Sequence, residues 1–115
     1  MISKLSTITP PELPGVSIGY LNPDPTHEVA LVTVEPNGII PRHRHAVDAH
    51  MTIVAGSAQV LSDDEDDGRE VAPRDCVFFR ANQFHGFVAG ALGLTFLSRN
   101  GGIRQPDGKL DLVFA

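Results

Sequence analysis

A chain of 115 residues, 42% apolar and with one cysteine, suits a single domain with one core and no internal disulfide framework. Its formal net charge of −5, with scattered Lys and Arg, argues against nucleic acid or an anionic membrane surface as the main partner. No apolar run approaches the ~20 residues of a membrane span, and the opening MISKLSTITPPELPG has no signal-like apolar stretch, so a cytoplasmic setting is expected.

No segment keeps an apolar stripe at helical spacing. Short strand-like runs succeed one another, punctuated by 11 glycines and 9 prolines. Residues 1–22, with Pro10, Pro11 and Pro14, read as an extended arm, and 23–115 as the folded unit. Glu28–Val34 is a β-branched run ending at a turn, and Ile39–His45 comes next with Pro41 marking an edge or a bulge. HMTIVAG and SAQVLS form two runs bent at Gly56, and the acidic stretch Asp63–Gly68 is a hairpin tip. That stretch lacks the alternating ligands and closing Glu of a calcium loop. Next come CVFFR, FHGFVAG and LGLTFLS, the last with Leu92, Leu94 and Phe96 expected on one face. KLDLVFA ends the chain, with Leu110, Leu112 and Phe114 sharing a face. Eight to ten short strands with turns between them predict an all-β sandwich or barrel.

PRHRHAVDAHM, from Pro41 to Met51, carries three of the five histidines. His43 and His45 lie two apart in a strand, so both imidazoles point to one face, about 7 Å apart along the strand. Arg42 and Arg44 have the opposite parity and face away. His50 opens the next strand, and His85 sits in NQFHGF on another. Cys76 reads as a buried small hydrophobe with no activating neighbour, and His27 as solvent-facing.

These segments resemble the cupin superfamily. Its first motif, G-x5-H-x-H-x3/4-E-x6-G, meets Asn37, His43, His45 and Gly56 here. Its second, G-x5-P-x-G-x2-H-x3-N, anchored on His85, meets Arg74, Arg80, Asn82 and Ala89. The resemblance covers about Glu28 to Leu97 and implies a single-domain double-stranded β-helix, or jelly-roll barrel. It also implies a cavity holding one divalent transition metal (Fe, Ni, Zn, Cu or Mn) on His43, His45 and His85.

The position of the family's usual Glu ligand falls on Ala49, which cannot bind metal. His50 is the expected replacement if a β-bulge turns it inward, and Asp48 is the alternative. Gln83, Met51, Phe79 and Phe87, with Asp48, are the expected substrate contacts, and Ile53 and Phe96 further cavity walls or plain core. The function implied is that of a metal-dependent dioxygenase, isomerase or lyase acting on a small oxygenated metabolite. A non-catalytic ligand-binding or sensing module is the rival, and a purely structural metal a third reading. A homodimer is the expected assembly.

Overall fold

The computed structural model describes residues 2, 4–22, 28–100 and 111–115. His27 and Leu110 lie outside these residues. The described residues form nine strands: β1 (Thr7–Ile8), β2 (Val16–Asn22), β3 (Val29–Val34), β4 (Ile39–Arg44), β5 (Ala49–Ser62), β6 (Glu70–Val71), β7 (Cys76–Phe79), β8 (His85–Arg99) and β9 (Val113–Phe114).

All pairings are antiparallel. β5 and β8 run alongside each other from His50↔Arg99 to Ser62↔His85 and pass through both layers of a rolled sheet. The His50–Gly56 half of β5 and the Leu94–Arg99 half of β8 continue into β7 on one side and into β3, β2 and β1 on the other. The remaining halves continue into β6 and into β4 and β9. Two β-layers sharing two long strands make a jelly-roll barrel, as the resemblance implies.

Sequence alternation explains the interior. Val16 and Ile18 on β2, Val32 and Val34 on β3, and Met51 and Ile53 on β5 are all buried, with outward residues between them. The bend in β5 needs Gly56: its φ is +76°, and a Cβ there would collide with the Gly93 carbonyl. The other glycine positions of the two motifs keep that backbone without glycine. Asn37, Arg74 and Asn82 have φ of 59°, 77° and 65°. Asn adopts this left-handed region at modest cost, whereas Arg74 is strained by about 1 kcal/mol.

Three expectations change. The arm is an arm only at its start, because Val16–Asn22 pairs with β3 and Leu13, Val16 and Ile18 join the core. An apolar alternation of this length buries more by joining the sheet than by trailing from it. Leu92 is 90% exposed although Leu94 and Phe96 are buried. Gly93, at φ +82°, breaks the period-2 parity between them. Cys76 is exposed, because Cys76 and Phe78 take the outward parity of β7 and leave Phe79 to the core.

Candidate metal centre

β4 and β8 carry the site. The two strands pair with His43 directly opposite His85, after a register shift between Ile40 and His43. Pro41, which has no backbone N–H for the ladder, sits in that irregular stretch. His45 lies just past the end of β4 with the same inward parity, whereas Arg42 and Arg44 are only partly buried. The three histidines are buried, at 5%, 4% and 1% exposure for His43, His45 and His85. Each offers a ring nitrogen within 4.8 Å of the others.

Hydrogen bonds fix how the rings are used. His43 Nδ1 donates to the Pro41 carbonyl at 2.7 Å, and His85 Nδ1 to the Gln83 carbonyl at 2.8 Å. His45 Nδ1 donates to the Asp111 carbonyl. A carbonyl can only accept, so each Nδ1 keeps its proton, and each neutral ring presents Nε2 as a bare lone pair. His43 and His45 Nε2 stand 3.1 Å apart, and His85 Nε2 is buried without a partner. Two acceptors facing each other in a low-dielectric interior repel unless something positive lies between them.

A metal ion fits that need. Nitrogens about 2.0–2.1 Å from a shared ion lie about 2.8–3.4 Å apart in octahedral or tetrahedral geometry, a range that includes the 3.1 Å between His43 and His45. Burial keeps the rings unprotonated. Burial, reinforced by the neighbouring His85 and His45, pushes His43 down to about 3, although its bond to Pro41 resists. Burial likewise pushes His85 down to about 4 and lowers His45, against the pull of Asp111. Neutral imidazole is the form that binds a transition metal.

Phe79, 1% exposed, stacks on the back of His85 with ring centroids 4.2 Å apart and planes 11° from parallel. In front of the imidazoles lies a cavity of about 40 Å³. Its walls are almost wholly apolar, Met51, Phe87, Phe96 and Leu112 among them, with Ser98 as a hydroxyl.

His50 does not join the cluster. β5 pairs with β7 in unbroken register from Ala49↔Phe79 to Thr52↔Cys76, so no bulge reverses its parity. Ala49 faces the core, while His50 is exposed with its ring against Phe78 at 4.7 Å. Asp48 is exposed too, and its carboxylate accepts the Ala81 N–H at 2.8 Å. Of the expected substrate contacts, Met51 and Phe87 line the cavity and Phe79 stands behind His85. Gln83 turns away, bonding Ser62 Oγ at 3.1 Å, Asp64 at 2.8 Å and the Arg80 N–H at 3.0 Å.

Sequence reasoning passed over Leu13, Ser98, Asp111 and Leu112. Alternation along β8 could have flagged Ser98, two residues beyond Phe96. Nothing local marks Asp111.

Fold and centre together define a jelly-roll barrel with three inward histidines. The profile of the family described as "Cupin domain" matches residues 30–92, more than half of the chain. The chain belongs to the cupin family. No curated protein sequence matches it.

Among solved structures it resembles the polyketide cyclase RemF from Streptomyces resistomycificus, with a TM-score of 0.72 and 22% identity over 86% of this chain and 78% of that one. An RmlC-like cupin from Shewanella frigidimarina superposes with a TM-score of 0.73 at 14% identity, over 84% of this chain and 82% of that one. KdgF from Halomonas sp. gives 0.71 at 20% identity, over 89% and 91%. At these identities the likeness is one of fold.

Proposed function

We propose that this cupin is a metal-dependent enzyme acting on a small oxygenated metabolite, with His43, His45 and His85 holding one divalent transition ion. One observation carries the reading: three buried imidazoles whose Nδ1 protons are committed to backbone carbonyls, leaving three bare Nε2 lone pairs to converge. Three protein donors leave coordination positions open, which is the habit of catalytic rather than structural sites. When bound, such an ion supplies Lewis-acid polarisation of a substrate oxygen. The chain's own residues aim the imidazoles, exclude bulk water and shape the pocket. Leu112, Phe87 and Phe96 make the walls beside the imidazoles apolar. A polyketide cyclase and an oxalate decarboxylase among the structural neighbours support chemistry on small oxygenated molecules.

A second reading, a non-catalytic module that binds or senses a small ligand, draws on a specific observation. Apart from the imidazoles, no titratable side chain lines the cavity among the described residues, and Ala49 stands where a carboxylate ligand is usual. We also propose a homodimer in the cytoplasm; a monomeric mass by light scattering at micromolar concentration would contradict the dimer.

Elemental analysis of protein purified without a nickel column tests the metal. Close to one equivalent of Fe, Ni, Zn, Cu or Mn is expected, lost in His43→Ala. Less than about a tenth of an equivalent, unchanged by that substitution, sinks the site. Turnover of diketones, thiols or phenolics, monitored by oxygen uptake and product analysis, separates enzyme from binder. Saturable binding with no turnover favours the second reading.

A further inference from the structure

We infer that the C-terminal segment Asp111–Ala115 is a strap whose docking completes the metal centre, so that strap docking and metal binding strengthen each other. The strap rests on the proposal that the three histidines hold a metal.

The three imidazoles are not held alike. The carbonyls that orient His43 and His85 belong to Pro41 and Gln83, each two residues earlier in the chain. Once β4 and β8 form, those bonds come with them. The carbonyl that orients His45 belongs to Asp111, 66 residues away. His45 also sits beyond the last residue of β4, where the Asn82 N–H holds its backbone carbonyl at 2.7 Å and Asp111 orients the ring. Of the three, only His45 takes the hydrogen bond that orients its ring from a distant piece of chain.

That piece is docked by a small set of bonds. The Asp111 carboxylate accepts the Ala46 N–H at 3.0 Å, next to His45. Val113 and Phe114 pair with Arg44 and His43, and the Ala115 N–H donates to the Arg42 carbonyl at 3.0 Å. Leu112 lines the cavity in front of the imidazoles. Yet Val113 and Phe114 remain 47% and 41% exposed, so the strap buries little apolar surface. A two-residue strand held mainly by hydrogen bonds belongs to the part of a fold that opens most readily. With the strap away, the His45 ring regains rotational and tautomeric freedom, and the cavity loses its Leu112 wall. An ion that needs His45 aimed must favour the docked strap, and the docked strap must raise affinity by the same factor.

The test uses Co(II) as probe, read by its visible absorption and by competition with a chelator. It compares the full chain, His43→Ala, Asp111→Ala and a chain ending at residue 110. Loss of an outer partner that orients a ligating imidazole lowers affinity by ~10- to 100-fold, which is expected on truncation, with a smaller loss in Asp111→Ala. Hydrogen exchange on the intact chain gives a second readout that needs no variant. Saturating Zn(II) is expected to slow exchange across 111–115, foremost at the Ala115 amide. If the full chain binds Co(II) and His43→Ala does not, while truncation leaves affinity within about twofold and Zn(II) leaves exchange at 111–115 unchanged, the strap is overturned and the metal centre stands. If the full chain binds no Co(II), the centre falls and the strap with it. Should the truncated chain fail to fold, the exchange result alone decides.

Discussion

Acidifying the metal-free protein should weaken it well above the pH at which its carboxylates titrate. His43 and His85 are held near 3 and 4 in the folded chain and return to the ordinary 6.5 when it unfolds. Below 6.5 the unfolded state therefore binds more protons than the native state, so stability falls as pH falls and is fully present only above that value. At 1.36 kcal/mol per pH unit, each ring costs about 2 kcal/mol by pH 5, and the pair about 3–4 because their mutual repulsion is shared. Burial of His45 adds in the same direction.

Such a loss is a large part of the 5–15 kcal/mol that ordinarily holds a domain together. With a urea m-value of about 1–2 kcal/mol/M, the unfolding midpoint should drop by about 2 M between pH 7.5 and pH 5. Circular dichroism melts in urea at several pH values, after dialysis against chelator, provide the assay. Asp64 and Asp67 have carboxyls held below their ordinary values by hydrogen bonds, so their contribution fades only at lower pH and leaves this window to the histidines. A midpoint flat to within 0.3 M or so across that range would refute the claim that the rings are buried and neutral. Saturating Zn(II) should raise the midpoint at every pH in this window and leave its slope unchanged, because the rings are already unprotonated in the folded form and the ion adds stability to that form alone.

Other substitutions discriminate further. His50→Ala should leave metal stoichiometry at one and affinity within about twofold, since the ring is exposed against Phe78; a lost equivalent would restore it as a ligand. Phe79→Ala should cost about 3–5 kcal/mol in denaturant melts and weaken metal binding, because it removes the surface His85 stacks on. Arg74→Gly should stabilise by no more than about 0.5 kcal/mol, because relief of the positive φ is partly offset by the freer unfolded chain that glycine brings. Gly56→Ala, with the same sign of φ and the Gly93 carbonyl in the way, should destabilise by several times that. Equal and opposite shifts would show that strain does not govern these bends.

The sequence determined an all-β fold and the inward pair His43 and His45, because a period of two along a strand fixes side-chain faces without reference to anything distant. It also pointed to His85 through motif spacing, and its lack of an apolar stripe at helical spacing argued for strands over helices. Only the tertiary structure decided that His43 stands opposite His85, since pairing register depends on a partner strand more than forty residues away. The same holds for His50, whose face turned on whether one bulge existed at the bend, and for Leu92, whose parity Gly93 reverses. Asp111 was beyond reach altogether. Its role is played by a backbone carbonyl, a group every residue carries, and only folding brings that carbonyl to His45.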